Sequence, residues 1–120
     1  MKISEILQIE KGITSIVGGG GKTSLMLRLA SELALKGTVV ICTTTRIYPP
    51  EDVEMVVSAD VAEIAGAVSR CKVLCVSGGM DINGKLTPPD MEIKRLAAVA
   101  DYVICEADGS RGLPLKAHNE

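Results

Sequence analysis

Residues 16 to 24 read I-V-G-G-G-G-K-T-S, and four glycines running into Lys22-Thr23 restrict the fold more than any other stretch. They join an apolar, β-branched run, I-T-S-I-V (13 to 17), to a segment in which Leu25, Met26, Leu29, Ala30 and Leu33 recur at helical spacing. Gly37 after Lys36 is a stop signal, so the periodicity predicts a helix over 22–36. The unit is strand, loop, helix. Consecutive glycines let backbone approach an anion closely, and the first helical turn offers unpaired N–H groups and the positive end of the dipole. This predicts a phosphate-binding loop in which Gly18, Gly19, Gly20 and Gly21 cradle the ligand, Lys22 neutralises its oxygens, Thr23 ligates Mg²⁺ and Ser24 belongs to the same turn.

The rival fingerprint G-x-G-x-x-G does not fit. From Gly18 and Gly20 the third position is Thr23, and from Gly19 and Gly21 it is Ser24. The next strand also ends in Thr43-Thr44-Thr45, where a ribose-binding acid would be expected, so a dinucleotide is disfavoured. An ordinary turn would not need four glycines, each entropically costly to order. The pattern G-x-x-x-x-G-K-[ST] requires glycine at 16, where the chain has Ile16. A shorter loop, G-x-x-G-K-T, starts at Gly18 and leaves Ile16 to the strand. That spacing resembles the loops of Mur ligases and folylpolyglutamate synthetases, which bind ATP in a P-loop fold.

Strands and helices continue to alternate. T-V-V-I-C-T (38 to 43) is a strand, followed by T-T-R-I-Y-P-P, whose prolines forbid further pairing. A weak strand V-E-M-V-V (53 to 57) leads to a helix over 59–70 with Ser58 as its cap. K-V-L-C-V-S (72 to 77) is a buried strand, and Asn83-Gly84 after it signals a hairpin that holds Asp81. A helix over 89–100 and a strand Y-V-I-C-E-A (102 to 107) complete the pattern. The expected architecture is three-layer α/β, P-loop NTPase-like, with a mainly parallel sheet of four to five strands in one nucleotide-binding domain over 1–120.

Composition agrees with such a sheet. Apolar residues make up 47%, with no Phe or Trp and only Tyr48 and Tyr102, so the core must be packed by branched aliphatics. Thirteen Lys and Arg against fifteen Asp and Glu give a net charge of -2, which leaves no electrostatic footprint for nucleic acid. Cys42, Cys71, Cys75 and Cys105 form no C-x-x-C pair and read as small buried hydrophobes in a reducing compartment. Residues 1 to 10 carry Lys2, Glu5 and Glu10, unlike a signal peptide. No apolar run approaches the roughly 20 residues needed to cross a bilayer. A soluble, cytoplasmic protein without membrane partners is expected.

A phosphate loop that binds Mg²⁺ needs a carboxylate at the end of a neighbouring strand. Y-V-I-C-E-A-D-G supplies Glu106 and Asp108, which would face the same way on a continuing strand, one holding metal and the other orienting a nucleophile. Lys22, Glu106 and Asp108 are therefore the candidate catalytic residues, with Thr23 and Glu106 at the metal. Arg46 and Arg111 follow strand ends on the same rim and could clamp a phosphate or carboxylate; a solvated surface role competes. His118 reads as a bystander.

Taken together, V-G-G-G-G-K-T-S, T-T-T-R-I-Y-P-P, S-G-G-M-D-I-N-G-K-L and D-Y-V-I-C-E-A-D-G-S-R-G-L-P-L-K-A resemble the YqeC family, known as accessory proteins of selenium-dependent hydroxylases. E-A-D-G-S-R-G-L-P-L-K is the most distinctive part. Members are longer, so the chain looks like their N-terminal portion. The resemblance implies a role in maturing selenium-dependent molybdenum hydroxylases, with an apoenzyme or its cofactor as partner. It also implies signature residues Thr44, Thr45, Arg46, Glu106, Asp108, Ser110 and Arg111 around a site for ATP or GTP with Mg²⁺. A small-molecule kinase, a Mur-like ligase and a non-catalytic binder of an anionic cofactor are the competing expectations.

Overall fold

The computed structural model describes residues 3–16, 22–107 and 116–118. In chain order its first elements are α1 (Ile3–Ile6), β1 (Gly12–Ile16), α2 (Lys22–Leu33), β2 (Val39–Thr43), β3 (Glu54–Val57) and α3 (Val61–Cys71). There follow β4 (Val73–Ser77), β5 (Gly79–Met80), β6 (Leu86–Thr87), α4 (Ile93–Leu96), β7 (Tyr102–Glu106) and β8 (Lys116–His118). The main sheet runs β3-β4-β2-β7-β1-β8. Its first five strands are parallel and β8 is antiparallel to β1, so the mainly parallel α/β sheet expected from the alternation is present.

Helices cover both faces because the side chains of each central strand divide between two cores. Val39 and Ile41 of β2 and Tyr102 and Ile104 of β7 pack with Met26, Leu29, Ala30 and Leu33 of α2. Val40, Cys42, Val103 and Cys105, one residue out of phase, pack on the other face with Ile64 and Val68 of α3 and Leu96 of α4. Every residue of β2 and β7 is buried, whereas three of the four in β3 are exposed, because β3 lies at the edge of the sheet. Burial pushes the Cys75 thiol up to about 11, which keeps it a protonated core side chain.

Local chemistry moves several boundaries. The helix expected over 22–36 ends at Leu33 and closes through turns, with Lys36 N–H donating to Leu33 O at 2.8 Å. Gly37 does not act there through a left-handed conformation; a Cβ at this position would run into the Asp101 carboxylate. The expected cap Ser58 instead accepts from Asp60 N–H, and Asp60 caps α3 by accepting from Ala62 and Glu63 N–H. The helix expected over 89–100 contracts to one turn, α4, continued by i→i+3 bonds from Ala97, Ala98 and Val99. Ala100 N–H then donates to Leu96 O at 3.1 Å, which brings Leu96 and Ala100 onto the same buried face.

Asn83-Gly84 does lie in a hairpin, β5–β6, but not as a two-residue turn. Only Gly84 has positive φ, at 79°, whereas a two-residue type I′ turn needs both central residues there. The Asp81 carboxylate explains the longer loop: Oδ1 accepts from both Asn83 N–H and Lys85 N–H at 2.9 Å. Among the described residues no helix is long and apolar enough to cross a membrane.

Candidate functional site

Parallel strands deliver their carboxyl ends to one edge of the sheet, and the alternation that builds the core also decides which end residues face α2. Tyr102 and Ile104 lie beneath α2, so Glu106 continues that side; Val39 and Ile41 bring Thr43 there, and Val73 and Cys75 bring Ser77. Registers place Glu106 between Ile16 of β1 and Thr43 of β2. The result is a polar rank, Glu106, Thr43 and Ser77, on top of an aliphatic core.

The first turn of α2 meets this rank. Thr23 Oγ1 donates to Glu106 Oε2 at 3.2 Å, joining residues 83 apart in sequence. Glu106 is only 5% exposed. Its carbonyl accepts from Thr43 Oγ1 at 3.1 Å and from Thr44 N–H at 2.9 Å, while Ala107 N–H donates to Ile16 O, so β1, β7 and β2 leave the sheet tied together. Thr43 Oγ1 also accepts from Thr45 N–H at 3.0 Å and lies 3.2 Å from the Thr45 hydroxyl. Ser77 Oγ is fully buried and has no hydrogen-bond partner among the described residues.

Beyond Thr23 the loop after β2 and the β5–β6 hairpin form one wall. Leu86 N–H donates to Ile47 O at 2.6 Å, Arg46 Nη1 approaches Asp81 Oδ2 at 3.4 Å, and Lys85 Nζ stands 5.1 Å from the centre of the Tyr48 ring. The backbone N–H of Lys85 is the main influence that holds the Asp81 carboxyl below the usual carboxylate range, with Asn83 N–H and the Arg46 and Lys85 charges acting the same way. A cavity of about 540 Å³ opens between this wall and α2, with Thr23 on its rim. A second cavity, about 420 Å³, lies on the opposite face beside Ser15, Thr44 and Cys105.

Of the residues singled out from sequence, Lys22 is the first of α2, and Thr23 and Ser24 follow in the same turn, Ser24 exposed. Thr44 and Thr45 join the rank through backbone and hydroxyl bonds, and Arg46 belongs to the cavity wall. His118 lies on β8, in register with Ile13. Gly18 to Gly21, Asp108, Ser110 and Arg111 lie outside the described residues. Thr43, Ser77, Tyr48 and Lys85 join the site although the sequence does not single them out as site residues. The signal was available for two of them, since I-C-T and C-V-S are both apolar strands that end on a hydroxyl.

The YqeC protein family model matches residues 14–120, which includes the last three residues of β1, all of α2, Thr43 to Arg46 and Glu106. The chain belongs to the YqeC family. It is similar to the uncharacterized protein YqeC of Escherichia coli K12, 36% identical over 114 residues, covering 90% of this chain. The chain spans 44% of that relative's length. No solved structure matches it.

Proposed function

We propose that the chain is the nucleotide-binding part of an ATP- or GTP-dependent factor that matures selenium-dependent molybdenum hydroxylases, built on a P-loop NTPase-like fold. The observation that carries the nucleotide reading is the 3.2 Å bond from Thr23 to Glu106. A glycine-loop site needs a hydroxyl at the residue after the lysine and a carboxylate from a neighbouring strand at the same point. Both groups are hard oxygen donors of the kind Mg²⁺ prefers, so the residues fit that ion. Thr23 and Glu106 are the residues that would hold Mg²⁺, whose charge would offset that of the phosphate oxygens.

The remaining roles fall to the chain itself. N–H groups of the first turn of α2 and the Lys22 ammonium would bind phosphate oxygens, Glu106, shielded from solvent, would hold the metal, and Asp108 would orient the attacking group. The assignment to selenium and molybdenum rests on the family resemblance of the motifs around 44–46 and 106–116.

Calorimetric titration with ATP and GTP, each with and without Mg²⁺, tests this directly. Mg²⁺-dependent binding is expected, abolished by Lys22→Ala. Glu106→Gln is expected to retain binding and to slow turnover by about 100-fold or more. Absence of heat with either nucleotide would remove the proposal.

A further inference from the structure

The cavity beside Thr23 has features that a phosphate loop does not call for. Its volume, about 540 Å³, is that of a small-molecule site. Leu27, Ile47, Pro49 and Pro50 give it apolar sides. The Tyr48 ring lines it while 64% exposed, which leaves aromatic surface open to a ligand. Two cations, Arg46 and Lys85, and one carboxylate, Glu51, line it as well. The Ile47–Leu86 bridge, the Arg46–Asp81 ion pair and the Lys85–Tyr48 contact join the two loops that carry Arg46, Tyr48 and Lys85.

Position along the sheet edge gives the cavity a role. The strand order β1, β7, β2, β4 places the glycine loop's strand first and Glu106 next, followed by the strands whose exits build the cavity. Thr23 both bonds Glu106 and lines the cavity, so a ligand there lies next to the metal-binding pair, away from the β1 side.

We propose that this cavity holds the phosphoryl acceptor, a small planar anion, carboxylate or phosphate ester, with a ring N–H at its far edge. Tyr48 and the prolines take its flat face, Arg46 and Lys85 its anionic group, and Glu51 its N–H. An anionic oxygen of the acceptor attacks the terminal phosphorus of the nucleoside triphosphate. The new O–P bond forms as the bond to the nucleoside diphosphate breaks, and the electron pair leaves on its β-phosphate oxygen. No proton need move. The acceptor role rests on the nucleotide reading; the anion site itself does not.

The test uses indole-5-carboxylate as a planar N–H-bearing anion, with tyrosine ring resonances and the probe's own ring-proton linewidths followed by NMR on the intact protein. Tyr48 is expected to shift saturably by about 10 mM, and Tyr48→Ala, Arg46→Met and Lys85→Met each to weaken binding about tenfold. Indole-5-carboxamide is expected to bind more weakly by a similar factor, 1-methylindole-5-carboxylate to lose the contribution of Glu51, and Mg²⁺-ATP to leave the probe in place. No Tyr48 shift, or affinity indifferent to all three substitutions, overturns the site. Displacement by Mg²⁺-ATP overturns the acceptor role, since the cavity would then take the nucleotide. Probe binding with no binding of ATP or GTP overturns the nucleotide reading and the acceptor role with it, leaving an anion site.

Discussion

The two ends of β2 and β7 use the same residue types for different purposes. At the amino end, Thr38 N–H donates to Asp101 Oδ2 at 3.0 Å and Asp101 N–H donates back to Thr38 Oγ1 at 3.1 Å. Their carbonyls are used as well, accepting from Tyr102 and Gly12 N–H. At the carboxyl end the threonine is Thr43 and the acid Glu106, yet the carboxylate turns to a hydroxyl on the first turn of α2, and Ser77 nearby has no partner among the described residues. One end spends its polar groups on closing the fold. The other turns its carboxylate to the start of α2 and leaves one buried hydroxyl without a partner among the described residues.

Substitution at the two acids is the strongest way to break this contrast. Asp101→Ala leaves the Thr38 N–H without its acceptor and is expected to lower stability by about 1–3 kcal/mol in denaturant melts. Gly37→Ala should act in the same direction, because its Cβ meets the Asp101 carboxylate. Glu106→Gln keeps an acceptor for Thr23 and is expected to shift stability by less than about 1 kcal/mol while impairing turnover. Equal destabilisation by Asp101→Ala and Glu106→Gln would mean that the carboxyl end is structural too.

A subtler probe compares hydroxyls. Thr38→Ala removes a made bond and should cost about 1 kcal/mol, whereas Ser77→Ala removes a buried hydroxyl without a partner and should be neutral or stabilising by up to about 1 kcal/mol. A loss of stability in Ser77→Ala comparable to that in Thr38→Ala would make the two ends equivalent.

How far this contrast could be read from sequence follows from what each signal encodes. Apolar runs and helical periodicity marked all five parallel strands and α2, because burial on a sheet face is a local property of residue type. The order β1-β7-β2 is not local: the pairing of Ile16 with Glu106 depends on which strand slots between two earlier ones, and only the expectation of an acid beside the first strand anticipated it. Capping by Asp60 rather than Ser58 turned on a choice between neighbouring side chains of equal propensity. The cavity wall was least legible, since Tyr48 and Lys85 meet only after two loops from separate strands are brought together.

The smallest expected effect concerns the tie between those loops. Asp81 has a lowered pKa in the folded state against an ordinary value of 3.8, chiefly because Lys85 N–H donates to it. A depressed carboxylate stabilises the fold above its unfolded pKa and loses that contribution as pH falls through the folded value. The hairpin and the Arg46 pairing should therefore persist across neutral pH and loosen below about pH 4, where the unfolded carboxyl begins to hold its proton. Amide exchange at Asn83 and Lys85, whose N–H groups donate to Asp81, should accelerate relative to the pH trend of an unstructured peptide. Asp81→Asn should give that faster exchange already at pH 7 and flatten its pH dependence, while the exchange of Tyr102, at the amino end, stays unchanged. Acid loosening that appeared equally at Tyr102 would place the titrating group elsewhere in the molecule and detach the cavity wall from Asp81.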